Sequence, residues 1–162
     1  MAEILSDTMT KLAAGQVESF QRLGGDVLSA SAVITPSATQ ASGDTLSMTK
    51  LPSNAIIKDG YIQYGAGFSA ATVDVGLFFE NDSTNDDADV LIDGADIGTA
   101  AGRTALFTAG TGVETIANQN KQLWEIAGFT SDPGGLVVVK ATVKASLTTT
   151  DGLKLVVDYT SN

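Results

Sequence analysis

Residues 72–79 read TVDVGLFF, the cleanest two-residue period in the chain. Val73, Val75, Leu77 and Phe79 fall on one face, and Thr72, Asp74, Gly76 and Phe78 on the other. That alternation predicts a half-buried strand with one face on a core and one near water. The run just before it is less regular. Ile57 and Ile62 are five apart, so a straight strand would set them on opposite faces. Asp59-Gly60 lies between them, either as a tight hairpin turn or as a glycine bulge that restores the parity. A hairpin would leave arms of only about four residues, shorter than usual, so the bulge is expected. Pro52 cannot donate a ladder bond and is read as the start of this strand.

The other segments extend the β pattern. Residues 27–35 (VLSASAVIT) read as a strand, 36–43 as a loop of turn residues, and 45–51 as a strand with Leu46 and Met48 on one side. A glycine-rich loop, 65–71, joins the two central runs. Residues 81–89 (NDSTNDDAD) form an acidic loop, followed by a short apolar run, 90–92, closed by Asp93-Gly94. Residues 95–109 are ambiguous between helical turn, loop and short strand, and 109–120 are loop-like. Residues 121–126 read as a strand with Leu123 and Trp124 on opposite faces, Trp124 filling core or the space between sheets. Residues 130–135 (TSDPGG) turn the chain into 136–144, where Val137, Val139, Ala141 and Val143 share a face. Residues 147–152 (LTTTDG) turn it again into 153–160, and these last two strands read as a hairpin.

Residues 1–26 differ from the rest. Ile4, Leu5, Met9, Leu12, Val17, Phe20 and Leu23 are spaced at three to five from Leu5 onward, which points to helix, and Gly24-Gly25 ends the segment. The expected organisation is therefore an N-terminal arm, 1–26, helical in part, and a β domain, 27–162. The arm packs on its own domain, reaches a neighbouring subunit through Ile4, Leu5, Met9, Leu12, Val17 and Phe20, or is a disordered tail. The fold class is all-β: an antiparallel β-sandwich or jelly roll of about eight strands.

Composition removes most chemistry. The 162 residues include no Cys and no His, which excludes thiol nucleophiles, disulfides, imidazole acid–base catalysis and the usual zinc sites. Nine Lys+Arg against nineteen Asp+Glu give a net charge of −10, so the chain repels phosphate backbones and anionic membrane surfaces. No apolar run reaches the ~18 residues of a membrane helix. The first residues lack the basic start and apolar centre of a secretory signal. No nucleic acid, membrane or cofactor is expected. The glycines match neither G-x-x-x-x-G-K-[ST] nor G-x-G-x-x-G. Asp82, Asp86, Asp87 and Asp89 are the candidates for a hard cation such as calcium, which takes oxygen ligands. They lack the D-x-[DN]-x-[DN]-G pattern, and a solvated loop is the plainer reading.

Several short stretches carry a likeness to a known family. Gly43-Asp44-Thr45-Leu46, then residues 51–61 (LPSNAIIKDGY), then Thr72-Val73-Asp74-Val75-Gly76 and the acidic loop resemble the head decoration, or cement, proteins of tailed bacteriophages. Ser6-Asp7-Thr8-Met9-Thr10-Lys11 and Arg22-Leu23-Gly24-Gly25 resemble that group as well. The similar stretch covers about residues 3–95, and the C-terminal strands fit less distinctively. The resemblance implies a β-sandwich or jelly-roll domain, often a homotrimer, on the outer face of a capsid. Its partners would be copies of itself and the major capsid protein. Such a protein is made in the host cytoplasm and ends in the virion, and the family has no catalytic residues to transfer. The competing readings are a tail or head-fibre component and a carbohydrate-binding β-sandwich, which would need exposed aromatics in a row.

Overall fold

The computed structural model describes residues 26–35, 39–66, 72–98, 100–106, 118, 120–145 and 152–161. Among them lie eight strands: β1 (Leu28–Ile34), β2 (Thr45–Pro52), β3 (Ala55–Tyr64), β4 (Thr72–Phe79), β5 (Asp87–Asp96), β6 (Gly102–Ala105), β7 (Leu136–Val143) and β8 (Leu153–Ser161). One turn of helix, α1 (Leu123–Ile126), and a 3-10 turn, Ser83–Asn85, complete the regular structure. The arm residues Ile4, Leu5, Met9, Leu12, Val17 and Phe20 lie outside the described residues.

The strands form two four-stranded sheets, ordered β1-β8-β3-β6 and β2-β7-β4-β5. Every recorded pairing is antiparallel. The pairings nest: β1 with β8, β2 with β7, β3 with β6, β4 with β5. The chain is thus one long antiparallel ribbon whose tip is β4–β5, rolled until β3 meets β8 and β4 meets β7. That is a jelly roll, which settles the choice that the sequence left open.

The core lies between the sheets. The inward faces of β4, β7 and β8 supply Val73, Val75, Leu77, Val137, Val139, Val143, Leu153, Leu155 and Val157, all buried. β3 is bulged, but at Lys58 rather than at the glycine: Ile57 faces Tyr159 and Asp59 faces Asp158, so Lys58 is the extra residue, while Gly60 pairs in register with Val157. Ile57 and Ile62 are consequently both buried. A second bulge, between Ser47 and Thr49, lets β2 bury Leu46, Met48 and Leu51 despite their uneven spacing.

Five expectations need correction. The final two strands are not a hairpin: β7 and β8 lie in opposite sheets. Both present one apolar face, and residues 144–152 are enough to cross the ~10 Å between packed sheets. Pro52 ends β2 rather than starting β3, and Ser53-Asn54 carry the chain between sheets. It still sits on an edge strand, where its missing N–H is tolerated. Residues 123–126 form α1, not a strand. Leu123 and Ile126 are three apart, as one helical face requires. The Glu125 carboxylate accepts the Gln122 N–H at 2.9 Å, closing the helix start. Leu123 is buried, and Trp124 packs half-buried against the core, its indole N–H donating to the Gln122 side chain. The acidic loop is shorter than expected: Asp87 and Asp89 belong to β5, which runs through Asp93-Gly94 to Asp96.

The fifth correction concerns β4. Its second face is not near water at its centre, for Asp74 and Gly76 are both buried. Between Val75 and Leu77 the facing β5 residue jumps from Ile92 to Asp87. The slack folds over the outer face of β4. A Cβ on Gly76 would come within 2.0 Å of the Asp87 carbonyl oxygen, so only glycine fits beneath that crossing.

Candidate functional site

The same crossing of β5 gathers the acidic side chains. Asp74 projects from the outer face of β4 and is only 1% exposed. Its Oδ1 accepts the Gly94 N–H at 2.8 Å. Gly94 has φ +68°, a left-handed conformation that turns this amide toward the carboxylate. Asp74 Oδ2 is sealed from water, and among the described residues its one partner is the Lys144 ammonium, 2.6 Å away beyond the end of β7. Carboxylate oxygens of Asp89 and Asp93 lie within 4.8 Å of each other and of Asp74.

The charges in this corner shift one another. The hydrogen bond and charge of Asp74 hold Lys144 above the ordinary lysine value, with smaller help from Asp89 and Asp93. Asp89 is pushed up, first by a side-chain hydrogen bond with Asp87, then by burial and by the charges of Asp87, Asp93 and Asp74. Two carboxyls that share a hydrogen bond disfavour double ionisation.

The four aspartates singled out from sequence do not form one site. Asp82 accepts from the Thr84 N–H at 2.9 Å and from its hydroxyl, which caps the 3-10 turn and lowers the Asp82 pKa. Asp86 accepts the Phe79 N–H at 2.8 Å, fastening that turn to the end of β4. Asp87 accepts the Asp89 N–H at 3.2 Å. Of the four, Asp89 alone joins the cluster, beside Asp74 and Asp93. Asp74 was legible only as the polar member of an alternating strand, and nothing local showed that β5 would cover it. The fit to calcium is poor: the ion takes six to eight oxygens, whereas both oxygens of Asp74 are engaged and Lys144 already supplies the positive charge.

Among the described residues, the aromatics do not make a row. Phe79 is buried and stacks edge-on with Phe129 at 4.8 Å between ring centroids. Tyr61 and Phe78 stand on different sheets. Each is covered by a cation: the Arg103 guanidinium lies 4.9 Å from the Tyr61 ring centre, and the Lys140 ammonium 4.2 Å from that of Phe78. Among the described residues, no helix is long and apolar enough to cross a membrane.

No family model and no curated protein sequence matches this chain. Solved structures do. A chain in the capsid of Ralstonia phage GP4 superposes with a TM-score of 0.59 at 19% identity, over 85% of this chain and 86% of that one. A chain in the capsid asymmetric unit of cyanophage Pam1 gives a TM-score of 0.52 at 15% identity, over 90% of each chain. The shared property is the fold, and it spans nearly the whole length of both partners.

Proposed function

We propose that this chain is a structural protein of a phage virion, a decoration protein that binds the outer surface of an assembled capsid and stabilises it. The observation that carries the reading is the fold likeness to two chains from phage capsids, over 85% to 90% of each chain. The sequence resemblance to tailed-phage head decoration proteins supports it independently. A ligand that binds only the assembled state adds its binding free energy to the stability of that state, so such a protein needs no catalytic group. Its partners in this reading are the major capsid protein and two further copies of itself. A closed threefold gives three equal contacts and matches the local threefold points of an icosahedral shell. The protein would be made in the host cytoplasm and reside on the outer face of the virion.

The N-terminal segment has a role in this reading. Ile4, Leu5, Met9, Leu12, Val17 and Phe20 would contact a neighbouring subunit or the shell. Deleting residues 1–23 should leave the β domain folded by circular dichroism while weakening trimer or capsid binding. Unfolding of the truncated protein would make the segment part of the core instead. The main test is co-sedimentation of purified protein with expanded, undecorated capsids. Saturable binding that raises the temperature at which the shells break supports the reading, and absence of binding to shells of its own phage overturns it.

A further inference from the structure

The two sheets have four edge strands, and three are blunted against pairing with another chain. β2 carries the bulge at Met48, Lys50 and a terminal proline. β5 carries Asp87, Asp89, Asp93 and Asp96 and loses register twice. β6 is four residues long and holds Arg103. Short length, charge, proline and bulges are the means by which natural edges avoid association. β1 has none of them. It reads LSASAVI, without charge, proline or glycine, and keeps an unbroken seven-pair register with β8. Among the described residues β8 is its only recorded strand partner. Of the four exposed large apolar side chains among the described residues, three, Val27 (62%), Leu28 and Val33 (64%), lie on this strand or just before it.

We propose that β1 is the contact between two copies of this chain, which pair edge to edge and antiparallel about Ala30 to join two four-stranded sheets into one. A twofold contact must be self-complementary, and the strand is. Even-numbered residues of β1 face the core and odd-numbered ones face outward, as the half-buried Ala30, Ala32 and Ile34 show. A register that keeps inner faces together must match even with even. Centred on Ala30, it sets Val27 against Val33 and Ser29 against Ser31 on the outer face, and Leu28 against Ala32 on the inner face. Each of these matches occurs twice. The next permitted register, centred on Ser31, sets Val27 against Thr35 and Val33 against Ser29, and leaves both valines without an apolar partner.

Charge selects the same occupant. Copies carrying −10 repel one another, so contact between them is favoured along a strip without charge. The nearest charges on that face sit one strand back: Lys154 opposite Val33 and Asp158 opposite Ser29. They differ in sign, and the Ala30-centred register brings neither against its like. This contact does not depend on the capsid reading. Where the protein is also threefold, it joins trimers in pairs.

The experiment uses the full chain, with light scattering across a concentration series and two edge variants, Ser29→Lys/Ser31→Lys and Ser29→Glu/Ser31→Glu. Wild type should associate in even numbers. Each variant sets like charges face to face twice and should bind itself at least ~10-fold more weakly, with its melting temperature unchanged. An equimolar mixture should regain the association, because every facing pair is then opposite in sign. Hydrogen exchange on wild type adds a readout that needs no variant: the alternate amides of 29–34 that point away from β8 should become protected as concentration rises. A chain that stays monomeric or simply trimeric at every concentration overturns the proposal. So do variants with unchanged mass, or a mixture that fails to recover. Protection of those outward amides that is independent of concentration would mean that residues 1–25 cover the edge. Protection that appears only on capsids would assign it to a strand of the shell, and either result overturns the proposal.

Discussion

The strand pairs β1–β8 and β4–β5 are built on opposite terms. The first joins the two ends of the β domain, Leu28 facing Tyr159, and keeps perfect register through seven pairs. The second joins strands adjacent in sequence and loses register twice. The longer closure is the more regular one. The irregularity of β4–β5 arises from what it has to cover: a buried carboxylate on the outer face of β4 and a glycine over which β5 crosses. In β1–β8 the backbone is generic and the side chains can vary. In β4–β5 the backbone path is particular, and single positions fix it.

Substitutions can break or sharpen that contrast. The largest effect is expected at Gly76, where any side chain meets the β5 backbone rather than a movable side chain. Gly76→Val should cost at least about 3 kcal/mol, while Ser31→Ala on the exposed face of β1 should stay within about 0.5 kcal/mol by denaturant titration. Comparable losses at both sites would erase the distinction. Leu155→Ala comes next. Leu155 is fully buried on β8 and faces both Ala32 and Ile62. A loss of about 3 kcal/mol is expected from lost burial and the cavity left behind. A much smaller loss would mean that even the central strand of the regular sheet repacks easily.

Asp74→Ala should cost about 2 kcal/mol, because it strands the Gly94 N–H and removes the counter-charge of Lys144. Asp74→Asn keeps an oxygen for Gly94 and should lose less, with increased amide exchange confined to β4 and β5. The smallest effect is at Asp89. Its pKa is raised above the ordinary 3.8, so the folded chain holds that proton more tightly than the unfolded chain does. Stability from this group is therefore present at low pH, falls as pH climbs from 3.8 through the raised value, and stays lost at neutral pH. Asp89→Asn should melt slightly above wild type at neutral pH, by less than about 1 kcal/mol for so exposed a group. The gap should close as pH falls toward 3.8. A gap that widens on acidification would show that the Asp87 contact stabilises the ionised form.

The β character and the core faces were legible because period two is a local signal. Val73, Val75, Leu77 and Phe79 are buried as the alternation required, and so are Val137, Val139, Ala141 and Val143. The bulge near Asp59-Gly60 was legible because Ile57 and Ile62 must reach the same core across an odd spacing. Residues 121–126 misled because six residues fit two periods equally well. Asp89 was legible as an acidic residue, but its neighbours Asp74 and Lys144 were not. They are separated from it by fifteen and more positions, and only the crossing of β5 and the end of β7 bring them together.

By itself, the sequence determined which side chains face inward, since alternation needs nothing beyond the strand that carries it. Only the tertiary structure decided which strands pair, why β7 and β8 part into different sheets, and why Asp74 is buried. An apolar face specifies that something must cover it but not what, and the partner of each ladder is chosen by closure of the whole ribbon.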